Sequence, residues 1–112
     1  MYYIYIVRCE DNSLYTGITT DIKRRLTEHK EKKKPCAKYT MSHTILSLEA
    51  LWTTDNKASA SRLEYRIKTL SKAKKEQLIW DKNLLYSMLS LGDDKYDAIE
   101  DLSAYNLQIA KD

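Results

Sequence analysis

The chain has 112 residues, 43% of them hydrophobic and 31% charged, which suits one soluble domain with a single buried core. Two glycines, one proline and two cysteines exclude collagen-like, low-complexity and disulfide-framework classes, and no apolar run reaches the length of a membrane-crossing helix. The net charge of +3 conceals an asymmetry: residues 1–80 carry 16 Lys/Arg against nine Asp/Glu, whereas residues 81–112 carry three against seven.

Residues 2–9, Tyr-Tyr-Ile-Tyr-Ile-Val-Arg-Cys, are β-branched and aromatic with almost no polar break, so they predict a strand buried on both faces. No basic residue precedes this stretch and no small-residue cleavage site follows it, so it is not expected to be a secretion signal. The expected setting is cytoplasmic, with Cys9 and Cys36 as reduced thiols, and the lack of a CxxC or a nearby His pair argues against zinc. Turn chemistry in Glu10–Ser13 leads to a second short strand, Leu14–Thr19, completing a hairpin. Gly17 lies inside that strand, where a glycine marks a bulge or the close approach of another group.

Thr20 or Asp21 is placed to cap a helix reaching about Glu31, with Ile22, Leu26, Arg25 and His29 on its inward-tending side. A Lys-rich loop ends at Pro35, and residues 44–52 alternate well enough for a third strand. Caps in Thr53–Asn56 then start a helix with an apolar stripe of Ala60, Leu63, Ile67 and Leu70, bordered by Glu64. Ser71 starts a further helix, Gly92-Asp93-Asp94 is a break, and a weakly amphipathic helix is expected around Ala98–Leu107. The fold class that follows is α/β: a small, mainly antiparallel three-stranded sheet flanked by helices. Residues 1–80 form the domain, and residues 81–112 are an acidic helical extension packed on or beside it.

Four residues do not explain themselves as core or surface. Arg25, His29 and Glu64 border apolar stripes, where each needs a partner or a wet cleft, and Gly17 interrupts a strand. Taken singly, each has a plain structural explanation, such as an Arg25–Glu64 salt bridge or a helix-end histidine, and Tyr5 and Tyr15 are ordinary strand formers. The densest basic stretch, Lys23–Lys38, fits either a polyanionic partner or a solvated face.

In combination, Tyr3-Ile4-Tyr5, Tyr15-Thr16-Gly17, Asp21-Ile22-Lys23-Arg24-Arg25, Glu28-His29 and the helix Glu64-Tyr65-Arg66-Ile67-Lys68 resemble the GIY-YIG nuclease family, in particular its small stand-alone bacterial members. The likeness covers residues 2 to about 80. It implies a metal-dependent endonuclease that hydrolyses DNA phosphodiester bonds with weak sequence specificity or with specificity for structure, in repair or recombination. Carried over residue by residue, the resemblance makes Tyr5, Tyr15, Arg25, His29 and Glu64 catalytic and gives Glu64 one Mg²⁺ or Mn²⁺. A lone hard carboxylate suits Mg²⁺, which keeps most of its waters and also binds substrate phosphate. Arg25 would stabilise transition-state charge, and Tyr5 is the expected group to position or deprotonate the attacking water.

Lys23, Arg24, Lys32, Lys33, Lys34, Lys38, Tyr39 and Lys68 are the expected nucleic-acid contacts. DNA is the expected partner, with RNA as a variant, no membrane, and a monomer or weak homodimer. The sequence departs from the family pattern in Tyr3, where many members have glycine, in Thr16, where isoleucine is usual, and in the late asparagine, since Asn83 lies nineteen residues beyond Glu64. Two readings compete with the nuclease: a non-catalytic nucleic-acid-binding module on the same fold, and a protein-interaction domain built on the tail. A shared site for Tyr5 and Tyr15 also requires a hairpin whose paired residue numbers sum to an even value, Glu10 opposite Leu14 being one such register.

Overall fold

A computed structural model describes residues 1–31 and 43–110. Strands β1 (Tyr2–Cys9) and β2 (Leu14–Thr19) form the hairpin, followed by helix α1 (Ile22–Glu31), strand β3 (Ile45–Thr54) and helices α2 (Lys57–Lys68) and α3 (Lys72–Trp80). A 3-10 turn (Lys82–Leu84) runs into the short α4 (Leu85–Met88), and β4 (Asp97–Ala98) and α5 (Ser103–Ala110) close the chain. The sheet order is β2-β1-β3-β4, antiparallel throughout. The described sheet therefore has four strands rather than three. The extra strand has only two residues, too few to show a period-two pattern, and it takes up Ala98, where the tail helix was expected to begin. The helix starts later, at Ser103, whose backbone N–H and hydroxyl both donate to Asp101 Oδ1.

Strand alternation splits the core in two. Ile4, Ile6, Ala50 and Trp52 point to one face and pack under Ala60, Leu63 and Ile67 of α2 and Leu78 of α3. Tyr5, Val7, Leu48 and Leu51 point to the other, where Ile22 and Leu26 of α1 and Ile109 of α5 cover them. This two-sided burial is why β1 reads as a continuous apolar run. The helices begin where side chains can satisfy their open N–H groups. Asp21 Oδ1 accepts from Arg24 N at 3.1 Å, Asn56 Oδ1 from Ser59 N at 2.8 Å and Ser71 Oγ from Lys74 N at 3.2 Å.

The hairpin pairs Tyr3 with Thr19, Tyr5 with Gly17 and Val7 with Tyr15. These are even sums, in a register shifted by two residues from Glu10 opposite Leu14, because Leu14 faces Arg8 instead. The β1–β3 register slips between Ile6 and Val7, passing over Glu49, and the Glu49 carboxylate accepts from Arg8 Nε. The Arg8 guanidinium also reaches both carboxylate oxygens of Glu76, at 2.8 and 2.6 Å, and so ties α3 to the sheet. That contact holds the Glu76 carboxyl at about 2.

Thr16 faces the α2 side, opposite Ile6, and its buried hydroxyl has no hydrogen-bond partner among the described residues. An unsatisfied buried hydroxyl costs stability, and valine has nearly the same shape without it. Thr16→Val is expected to raise the unfolding free energy by about 1 kcal/mol, read as a higher urea midpoint at unchanged slope.

Candidate active site

The site begins with a cross-strand pair. Tyr5 and Gly17 face each other on the α1 side of the hairpin, and the Tyr5 ring lies directly over the glycine. A Cβ on Gly17 would stand 2.6 Å from Tyr5 Cζ, closer than real Cβ contacts come. The close approach expected at this glycine is thus made by the protein's own phenol. Laid flat, Tyr5 delivers its hydroxyl to α1, where Oη is 2.7 Å from His29 Nε2 and accepts from Arg25 Nε at 3.3 Å.

Arg25 and His29 are four residues apart, so one helix face presents both. Tyr15, two residues before Gly17, emerges on the same sheet face. Its ring centroid is 6.3 Å from that of Tyr5 and 5.5 Å from that of His29, the latter pair edge to face.

Helix α2 covers the opposite sheet face, yet it also packs against β2, the edge strand. Its C-terminal half therefore reaches the rim of the site. Lys68 Nζ stands 5.6 Å from the Tyr15 ring centroid and 3.4 Å from Glu64 Oε2, and the negative charge of Glu64 acts on the Tyr5 phenol. The five residues expected to be catalytic thus meet where α1 and α2 approach the two sides of one strand.

Burial divides their chemistry. Tyr5 and His29 have 0% relative exposure, whereas the Glu64 side chain retains 24%. Burial raises the Tyr5 pKa far above the ordinary phenol value, against the opposing pull of the Arg25 hydrogen bond and charge. At neutral pH Tyr5 is a protonated phenol, so the expectation that it meets water directly as a base finds no support in its surroundings. Burial, assisted by the Arg25 charge and opposed by Glu28, lowers His29 to about 4. His29 is therefore a neutral imidazole. In the tautomer protonated at Nδ1, Nε2 accepts the phenol proton while Oη accepts from Arg25 Nε. Burial weighs against the Arg25 charge as well, but hydrogen bonds to Tyr5 and Glu28 outweigh it and raise its pKa.

Glu28 is the residue the sequence reading left without a role. Its carboxylate, with a side chain only 13% exposed, accepts from Arg25 Nη1 at 3.0 Å. The signal was present in the i,i+3 spacing of Arg25 and Glu28. Of the expected nucleic-acid contacts, Lys23, Arg24 and Lys68 are exposed. Lys32, Lys33, Lys34, Lys38 and Tyr39 lie outside the described residues. Asn83 is exposed in the turn after α3.

For a cation, the donor set is a single carboxylate, Glu64, whose ion-pair partner Lys68 is itself about half exposed. Among the described residues no group of three or more His, Cys, Asp or Glu is arranged to hold an ion. A hydrated Mg²⁺ completed by water and phosphate oxygens fits one hard oxygen ligand, whereas a structural zinc needs four protein ligands. Cys9 is buried and not in a disulfide. No helix among the described residues is long and apolar enough to cross a membrane.

The sequence profile of the GIY-YIG catalytic domain matches residues 1–77. The chain is 46% identical over 78 residues to the UPF0213 protein BH0048 of Halalkalibacterium halodurans, spanning 70% of this chain and 81% of that one. It is 40% identical over 89 residues to the UPF0213 protein YhbQ of Salmonella arizonae, spanning 80% and 87%. The solution NMR structure of BH0048 from Bacillus halodurans aligns over 85% of this chain and all of that one, with 38% identity and a TM-score of 0.45.

Two outcomes follow from the Tyr5 packing. Gly17→Ala forces the ring off its seat and is expected to cost about 1–3 kcal/mol, seen as a lower melting temperature together with a shifted His29 ring resonance. The unfolded chain binds a proton at His29 near pH 6.5 and the folded chain only near pH 4, so this residue makes stability rise with pH between those values and level off above. The rise is expected to be roughly 2–3 kcal/mol, measured by urea unfolding across pH 4–7, and His29→Gln should flatten it.

Proposed function

We propose that this chain, which belongs to the GIY-YIG catalytic domain family, is a divalent-metal-dependent endonuclease that hydrolyses DNA phosphodiester bonds with little sequence specificity or with preference for branched structure. The family is a nuclease superfamily, and the observation that carries the reading is the meeting of Tyr5, Tyr15, Arg25, His29 and Glu64 at one sheet edge. Glu64 is the residue to hold one Mg²⁺ or Mn²⁺, and that ion, when bound, supplies Lewis-acid polarisation of the phosphoryl oxygen and relief of charge on the leaving oxygen.

The remaining chemistry belongs to side chains. Arg25, oriented from two sides by Tyr5 Oη and Glu28, offers its fixed charge to the phosphoryl oxygens, where negative charge grows as water adds to phosphorus. Tyr15, more exposed than Tyr5, orients the attacking water. The proton lost by that water passes by way of the more exposed Tyr15 to Tyr5 Oη, and Tyr5 hands its own proton to His29 Nε2, which accepts it in the tautomer protonated at Nδ1. An incoming phosphate favours this transfer. It places negative charge near His29 and draws on the Arg25 charge that otherwise lowers the imidazole pKa.

Lys23, Arg24 and Lys68 hold flanking phosphates through charge rather than base edges. A cytoplasmic place, a role in DNA repair or recombination and a monomer or weak homodimer complete the reading.

Nicking of supercoiled plasmid and of branched oligonucleotides with Mg²⁺ tests it directly. Arg25→Ala and Glu64→Gln are each expected to lower the cleavage rate at least about a hundredfold, with DNA affinity nearly unchanged for Glu64→Gln, and chelation should abolish cutting. If wild type binds DNA but cuts no faster than the two variants, the fold serves as a binding module instead.

A further inference from the structure

Residues 99–110 lie beyond the span matched by the family profile, yet they reach the underside of the candidate site. Ile109 is buried in the same core cluster as Tyr5, Ile22 and Leu26, with Ile99, Leu102 and Tyr105 packed against it. Two side chains of α5 then fasten this helix in different directions. On the sheet side, Asn106 imitates a strand residue: its Oδ1 accepts from Leu48 N at 2.7 Å and its Nδ2 donates to Leu48 O at 3.1 Å. These bonds continue the β3 edge just past the point where β4 ends and Ile99 N donates to Leu51 O at 2.9 Å.

On the helix side, Gln108 Nε2 donates to the Lys23 carbonyl at 2.8 Å and to Thr27 Oγ1 at 2.9 Å, while the Gln108 carbonyl accepts from Lys30 Nζ at 3.5 Å.

We infer that α5 is a clasp that sets the position of α1, with Gln108 as a positioning residue for Arg25 and His29. Helix α1 needs such a hold. It has ten residues, buries only Ile22, Leu26 and His29, and is too short to persist on its own helical propensity. Lys23 and Thr27 are four apart on one stripe, and Arg25 and His29 are four apart on another. Bonds made on the first stripe therefore fix rotation and translation of the second. In that placement Oη of Tyr5 stands 2.7 Å from His29 Nε2. The chain outside the matched domain thereby aligns groups inside it, and its link to catalysis rests on the nuclease reading above.

Site-resolved amide exchange and cleavage kinetics on the full chain separate the two ideas. In Gln108→Ala, exchange at the amides of residues 25–30 should quicken about three- to tenfold while β1 and β3 amides keep their wild-type rates, and the midpoint of the His29 ring titration should move upward. The cleavage kcat should fall by a similar factor at unchanged KM. Thr27→Val, which removes one of the two α1 acceptors of Gln108 Nε2, should produce the same pattern in weaker form in a chain whose α5 is intact. Ala110→Ser, at an exposed position of α5 that makes none of these bonds, should leave every readout unchanged. Unchanged α1 exchange in both clasp variants, or equal acceleration in every element, overturns the clasp. A wild type that does not cut removes the nuclease reading but leaves the exchange result to decide the clasp.

Discussion

A phenol laid across a glycine organises this molecule. Tyr5 sits in the central region of the sheet and would ordinarily serve only as core. The missing side chain at Gly17 lets its ring lie flat, so that the hydroxyl arrives between His29 and Arg25. Around that contact stand an imidazole kept neutral by burial and the Arg25 charge, a guanidinium held by Tyr5 and Glu28, and Tyr15 edge to face with His29. A buried polar network of this kind is costly when any member lacks a partner. Here each member satisfies another, and Glu28 completes the set by holding the far side of Arg25.

The two-faced sheet explains how residues on helices from opposite layers serve one site. Helix α1 belongs to the Tyr5 face and α2 to the Trp52 face, and neither could meet the other through the sheet. They meet around β2 because it is an edge strand, with no further strand beside it among the described residues. Lys68 and Glu64 accordingly approach Tyr15 from outside, which leaves Glu64 partly open to solvent while Tyr5 and His29 are sealed. That gradient suits the proposed reaction, in which a partly exposed carboxylate would hold a hydrated cation and buried groups would handle a proton.

The acidic C-terminal third is structural in both core clusters. Leu85, Leu91 and Tyr96 join the Trp52 side, Ile109 joins the Tyr5 side, and β4 covers the exposed edge of β3. Its charges are engaged as well: Asp94 is held at about 2 by Arg62 and Ser59. A tail that looks like an appendage by charge and weak periodicity is, by contact, part of the scaffold.

Much was legible in the residues themselves. The apolar run of β1, the caps at Asp21, Asn56 and Ser71, and the stripe Ala60–Leu63–Ile67 predict their elements because they report local backbone and burial demands. Arg25, His29 and Glu64 stand out in the sequence because each borders an apolar stripe, whereas Tyr5 and Tyr15 read as ordinary strand formers and are singled out only by their match to the family motifs. Contacts far apart along the chain were not legible. No period announces a two-residue strand at Asp97–Ala98. No local rule places Gln108 against Lys23 or Asn106 against Leu48, eighty-five and fifty-eight residues away. The sequence determined which side chains carry unusual chemistry; tertiary packing alone decided which of them are dry and which wet, because burial is a property of what the rest of the chain lays over them.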